Sequence, residues 1–331
     1  MSPKALSACQ SARLLVVGPT ATGKSALALD LAEKIQADEP ETRAEIINAD
    51  ASLLYRGMDI GTAKPSPAER ARVPHHQIDV LTVRDRASVA AFQRSARCDI
   101  DAVESRGNRP ILVGGSGLYV RALTDDLDFP GTDPAVRTRL SERAEQEGTA
   151  ALHAELARLD PVAAERVEAS NTRRIVRALE VIEITGRPFS ASLPRYEDIV
   201  PTVHIALRCE RRLLDLRINE RARAMFEGGL VEEVETLIGQ GIREGETAPR
   251  AIGYAQALAV IDGTMSVTEA VDSTALATRQ LASRQIKWFR RDPRVHWIDV
   301  ALTESGQCTD SERSRVIRQA WELVCERRGV A

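Results

Sequence analysis

No two cysteines of this chain stand close enough in sequence to form a C-x-x-C pair. The five present, Cys9, Cys98, Cys209, Cys308 and Cys325, are odd in number and far apart. That argues for reduced thiols and against a zinc site. No apolar run approaches the length of a membrane span. The stretch Met1–Arg13 is small and polar and has no signal-like apolar core, so a cytoplasmic protein without membrane attachment is expected. Charge of one sign is also missing: 45 Lys and Arg face 48 Asp and Glu, for a net charge of -3. This balance excludes a global attraction to nucleic acid, and any such binding must come from a local patch. There is no internal repeat and no low-complexity tract. What remains is 331 residues with a normal apolar and charged balance, enough for one large or two modest domains.

One motif stands out. Four apolar residues, Leu14 to Val17, lead into Gly18-Pro19-Thr20-Ala21-Thr22-Gly23-Lys24-Ser25, which fits G-x-x-x-x-G-K-[ST]. Glycines let backbone N–H groups face an anion, and the following helix turns its positive end to the same place. In such a loop Lys24 reaches the outer phosphates and Ser25 ligates Mg2+. The motif does not choose between ATP, GTP and another diphosphate. A motor ATPase or kinase usually adds an apolar strand that ends in Asp. The best candidate strand, Ile111-Leu-Val113, ends instead in Gly114-Gly115-Ser116-Gly117. N-K-x-D is absent as well, which disfavours a guanine-specific GTPase. The phosphate held here is therefore open to being a leaving group.

Short strands are predicted at 13–17, 45–49, 109–113, 203–208 and 295–300, with helices at 24–35 and 88–103 between the first three. Strands alternating with helices imply a parallel sheet. From about Asp128 to Arg195 the pattern changes to helices only, at 134–147, 150–158, 161–167 and 172–185. Asp133-Pro134 and Asp160-Pro161 look like an N-cap followed by a first-turn proline. A loop closes this stretch at 186–194. Further helices are predicted at 213–226, 230–240, 254–261, 267–289 and 311–327. The expected fold class is α/β, a P-loop parallel-sheet core (1–127 and 200–331) with an all-helical insertion domain (128–199).

Asp50 follows the second strand, which is expected beside the first. It should emerge at the carboxyl edge of the sheet, where ligands bind. It can serve as a general base or simply cap the next helix. His75 and His76 are adjacent in a strand, point to opposite faces and would not chelate one ion.

Several blocks together resemble the bacterial tRNA dimethylallyltransferases: Gly18 to Ser25, Asp50-Ala-Ser-Leu-Leu-Tyr-Arg-Gly-Met-Asp-Ile-Gly-Thr-Ala-Lys-Pro65, Pro74-His-His-Gln-Ile-Asp79, Leu112-Val-Gly-Gly-Ser-Gly-Leu-Tyr119, Arg177-Ala-Leu-Glu-Val181, Ile252-Gly-Tyr254 and Thr278 to Arg290. The resemblance spans about residues 14–300. It implies transfer of a dimethylallyl group from its diphosphate to the N6 amino group of the adenosine 3′ of the anticodon, in tRNAs that read codons beginning with U. It also implies Asp50 as the general base, and Arg217 on the diphosphate as a bidentate guanidinium. Ser116, where the family usually has Thr, would lie near Asp50. The competing readings are a small residue in a tight turn for Ser116 and a solvated or paired helix charge for Arg221.

The run 279–294 holds Arg279, Arg284, Lys287, Arg290, Arg291 and Arg294 against one acid, with Trp288 and Phe289 interleaved. A charge run is commonly a solvated face, but basic charge with aromatics also suits single-stranded RNA. The resemblance favours RNA and extends the expected contacts. They comprise Asp50, Ala51, Ser52 and Leu53; Arg137; Ser170, Asn171, Thr172, Arg173 and Arg174; Arg250, Gly253 and Tyr254; and Ser283, Arg284, Gln285, Lys287, Trp288 and Arg290. Ser283 stands where the family often has Lys. The implied partners are a tRNA anticodon stem-loop and dimethylallyl diphosphate, the implied cofactor is Mg2+, and a monomer is expected. The rivals are a prenyltransferase acting on free AMP, a P-loop small-molecule kinase and a non-catalytic RNA-binding protein.

Overall fold

The computed structural model describes residues 12–192 and 196–326. Cys9, the stretch 1–11, the last residues of the loop 186–194 and Arg327 lie outside the described residues. Six strands form one sheet: β1 (Arg13–Val17), β2 (Ala44–Asn48), β3 (His75–His76), β4 (Arg109–Val113), β5 (Thr202–Arg208) and β6 (Val295–Asp299). All neighbours run parallel, in the order β3-β2-β4-β1-β5-β6. β1, β2 and β4 are buried at every position, as expected of strands covered on both faces. Their charged ends are paired. Arg13 donates to Glu104 at 2.7 Å, and Glu45 accepts from Arg106 at 2.9 Å.

The expectation that β2 lies beside β1 is corrected by the topology. β4 pairs with both and lies between them. The first crossover skips one strand position, which β4 fills later in the chain. β3 is too short to show a periodic pattern, and Ser66, which caps the six-residue helix Pro67–Arg72 through a capping box with Glu69, opens another short element.

Helix Lys24–Asp38 lays Leu27, Leu31 and Ile35 on the sheet at fourfold spacing. Val316, Ala320 and Val324 of helix Asp310–Glu326 complete the same core. Helices Arg211–Glu227, Leu230–Gly239, Tyr254–Ile261 and Val267–Phe289 enclose a second core that contains Met58, Leu230, Val234 and Tyr254.

The described chain divides into two compact units, Asp125–Glu197 and the remainder. Helices Pro134–Glu147, Thr149–Leu159, Pro161–Arg166 and Thr172–Thr185 of the smaller unit pack around Leu140, Leu152, Leu156, Ile175 and Leu179. Asp133 and Asp160 cap two of these helices, each with Pro in the first turn. Proline there fixes φ and sacrifices an N–H that has no helical partner.

Candidate active site

Three adjacent strands, β2, β4 and β1, deliver the chemistry-bearing loops to one carboxyl edge of the sheet. β1 runs into Gly18 to Ser25, β2 into Asp50 and β4 into Gly114-Gly115-Ser116-Gly117. The β2 and β4 loops meet because Gly114 has no side chain: a Cβ there would come 2.3 Å from the Ala49 carbonyl oxygen. Gly18 has a φ of 126°, and a Cβ on it would stand 2.6 Å from the Leu207 carbonyl oxygen. Only glycine meets both conditions.

Within the cradle, the Pro19 carbonyl accepts from Thr22 Oγ1 and from Lys24 Nζ, each at 2.8 Å. The Lys24 ammonium thus bends back on its own loop. Burial pushes it down to about 8, Asp50 opposes that fall and the Arg221 guanidinium adds to it. Ser25 stands exposed in the first turn of its helix.

The capping reading of Asp50 is met. Its Oδ1 caps the short 3-10 helix Ala51–Leu54, accepting from Ser52 N–H at 3.2 Å and Ser52 Oγ at 2.9 Å. Ser116 Oγ reaches the same oxygen at 3.4 Å and accepts from Ala51 N–H at 3.2 Å. None of these bonds uses Oδ2. Buried Asn48 clamps the main chain of Asp50: its Oδ1 accepts from Asp50 N–H at 2.9 Å and its Nδ2 donates to Asp50 O at 3.0 Å. Sequence reading missed Asn48, because a buried Asn at a strand end carries no motif.

Of the two alternatives for Arg221, a solvated or a paired helix charge, only the solvated one is excluded. Arg221 is partly buried, donates to the Thr62 carbonyl at 3.4 Å and faces Asp50. Burial pulls its pKa down, Asp50 pushes it up and neighbouring Arg217 pulls it down. Arg217 sits one turn earlier, with Cys209 and Cys308 also within its field; burial pushes the Cys209 thiol up to about 11 against the pull of that guanidinium. The spacing of four that puts two arginines on one helix face was the signal available for Arg221. Lys24 and Arg221 lie within the field of the Asp50 carboxylate, and Arg217 adds charge beside Arg221, an arrangement fit for a polyanion whose charge grows during reaction.

Ser25, in the first turn after the cradle, is the hydroxyl that a G-K-[ST] loop offers to Mg2+. Among the described residues no group of three or more His, Cys, Asp and Glu could hold a metal. One hydroxyl and one carboxylate leave an ion bound chiefly through substrate phosphates, which is how Mg2+ is commonly held. The two histidines of β3 make separate contacts: His75 Nδ1 lies 2.7 Å from Val73 O, and His76 Nε2 lies 2.7 Å from Glu45 Oε2.

The expected RNA contacts divide. Arg284, Lys287 and Trp288 are exposed at i, i+3 and i+4 of helix Val267–Phe289, with Arg290 exposed at its end. The Trp288 indole occupies the space beside Gly117, where a Cβ would come 2.1 Å from Nε1. Arg250 is exposed, and so are Ser170, Asn171, Arg173 and Arg174, with Thr172 half-buried. Asn171 accepts from Arg174 N–H and caps its helix. Ala51, Ser52 and Leu53 are half-buried beside Asp50.

Other residues of that set are buried or held by protein partners. Tyr254 is fully buried after Gly253, and its hydroxyl donates to Glu233 Oε1 at 2.5 Å, so it cannot stack on a base. Gln285 is buried between two loops. Arg137 is tied to the fully buried Glu180 at 2.7 Å, since a buried carboxylate requires a cation. Ser283 accepts from Arg211 at 2.6 Å and donates to Arg279 O. Of the basic run, Arg279 donates to Asn219 and Arg294 pairs with Asp292 and Asp198; Phe289 is core.

Known proteins share this framework. Residues 53–292 match the family model described as IPP transferase. A protein from Streptomyces avermitilis named tRNA dimethylallyltransferase is 54% identical over 89% of this chain and 93% of its own. One of the same name from Streptomyces coelicolor is 54% identical over 94% and 95%. The crystal structure of a tRNA isopentenylpyrophosphate transferase from Bacillus halodurans superposes with a TM-score of 0.67 at 35% identity, covering 96% of this chain and 98% of its own. With the cradle, the carboxylate and the paired arginines at one sheet edge, and a family match across 240 residues, the chain belongs to the IPP transferase family.

Proposed function

We propose that this protein transfers a dimethylallyl group from dimethylallyl diphosphate to the N6 amino group of the adenosine 3′ of the anticodon, position 37, in tRNAs that read codons beginning with U. It does so in the cytoplasm as a monomer. Among the described residues no helix is long and apolar enough to cross a membrane. The observation that carries the reading is the setting of Asp50: one carboxylate, with Oδ2 outside the capping bonds, facing Lys24 and Arg221 across the cradle.

The chemistry follows from that setting. The cradle N–H groups, Lys24, Arg221 and Arg217 bind the diphosphate and stabilise the charge that gathers on it as the allylic C–O bond breaks. The electron pair of that bond leaves with pyrophosphate. The N6 lone pair forms the C–N bond, and the N6 proton passes to Asp50. Ser116 holds the carboxylate in line. Ser25 would hold Mg2+, which when bound supplies further positive charge to the leaving group. Trp288, Arg284, Lys287 and Arg290 offer a stacking and phosphate surface to RNA, and a stacked loop base must be extruded before it can react.

The test is an incubation of the protein with dimethylallyl diphosphate labelled in carbon and either an anticodon stem-loop or AMP. Label on the stem-loop is expected. Label on AMP alone would support the free-nucleotide rival and sink this reading; in a parallel incubation with ATP added, consumption of ATP without prenyl incorporation would support a kinase.

A further inference from the structure

Gln285 joins two loops that are remote in sequence. Its Oε1 accepts from Thr20 N–H in the cradle at 2.8 Å, and its Nε2 donates to Gly115 O at 3.0 Å. The side chain is only 6% exposed; its bond to Gly115 is buried and its bond from Thr20 is partly so. Space has been cleared for it as well: a Cβ on Gly115 would stand 2.3 Å from Nε2. A main-chain donor on one side and a main-chain acceptor on the other admit one orientation of the amide. Among uncharged side chains of this reach, only an amide offers both partners.

Each bonded loop holds part of the reaction centre. Thr20 lies in the loop that contains Lys24, and Gly115 precedes Ser116, whose hydroxyl touches Asp50 at 3.4 Å and Ala51 N–H at 3.2 Å. We infer that Gln285 is a positioning residue that fixes the spacing between the diphosphate cradle and the Ser116–Asp50 pair. It acts through Thr20 and Gly115 and touches neither substrate. The inference rests on the proposed transfer reaction and assigns a different task to a residue expected to face RNA. Its helix neighbours Arg284, Lys287 and Trp288 are exposed, while Gln285 points inward from the same turn.

Loose spacing between a leaving-group site and a base costs turnover steeply, about 10²-fold for a shift on the order of 1 Å. Gln285→Met keeps the length and removes both hydrogen bonds. The expected result is a fall of about 10–100-fold in kcat with dimethylallyl diphosphate and stem-loop. Affinity for inorganic pyrophosphate should weaken several-fold, and stem-loop affinity should stay within about twofold. In a Ser116→Ala background the same change should cost much less, because the loop it positions has already lost its hydroxyl. If Gln285→Met does not fold, Gly115→Ala tests the same contact from the other side by crowding the amide. Weakened RNA binding with unchanged pyrophosphate binding would overturn the inference. So would a lowered melting temperature with unchanged kcat, or an undiminished effect in the Ser116→Ala background. Failure of the wild-type protein to transfer label would instead count against the reaction itself, since pyrophosphate affinity is read independently.

Discussion

Replacing Lys24 by Met should stabilise the fold at pH 7 while abolishing transfer. Burial holds the ammonium at about 8, below the 10.5 of a free lysine. The folded chain therefore binds fewer protons than the unfolded chain between those values. The charge opposes folding at pH 7, and the penalty fades as pH rises from about 8 to 10.5. Fully counted, that difference is worth about 3 kcal/mol. Lys24 keeps some contact with solvent, which screens part of it. The lost bond to Pro19 O removes about 1 kcal/mol of the gain. A net stabilisation of about 1–2 kcal/mol at pH 7 follows for Lys24→Met. Urea unfolding of both proteins at pH 7 and pH 10 measures it, and the advantage should vanish at the higher pH. A variant less stable than wild type at pH 7, or an offset that ignores pH, would refute the reasoning. A stabilising loss of function is the expected signature of a cation held in place for an anionic ligand.

Asp50→Asn should lower kcat by about 10²–10⁴-fold in a single-turnover assay while pyrophosphate still binds, because the amide keeps the Ser52 cap but cannot take the N6 proton. Arg221→Gln should weaken pyrophosphate binding, measured by calorimetry, more than Arg217→Gln does, since only Arg221 faces Asp50 and Lys24 directly. Tyr254→Phe should cost about 1 kcal/mol in urea unfolding and leave stem-loop affinity unchanged, because the buried ring's hydroxyl is committed to Glu233. Lys287→Ala should reduce the slope of log affinity against log salt by about one in stem-loop titrations, the loss of one phosphate contact.

The regular elements were legible in the sequence because their signals are local. Helices Pro134–Glu147, Thr172–Thr185 and Val267–Phe289 and strands Arg13–Val17 and Arg109–Val113 have the predicted bounds. Capping Asp-Pro pairs and buried apolar runs mark such ends without help from the rest of the chain. Strand order was not legible, since the pairing of β4 between β2 and β1 depends on a crossover whose route no residue spells out. The cradle and Asp50 could be located because a motif and a strand end imply position. The inward turn of Gln285 and Tyr254 could not, because each depends on what packs against its helix, whereas Arg221 carried a signal in its spacing of four from Arg217. Helical spacing alone says that Arg279, Arg290 and Arg294 need not share a face with Lys287, but not which face meets RNA. In three dimensions one face carries Arg284, Lys287 and Trp288, and the other carries Gln285 and Phe289 into the core.

The central claim is that the cradle holds a leaving group and that carbon, not phosphorus, is transferred. Dimethylallyl diphosphate labelled with ¹⁸O at the oxygen that bridges carbon and phosphorus tests it directly, with an anticodon stem-loop as acceptor and mass spectrometry of both products. The expected result is ¹⁸O entirely in released pyrophosphate and a prenyl mass on the RNA. ¹⁸O left on the prenyl fragment as an alcohol, or a phosphoryl mass on the acceptor, would contradict the claim.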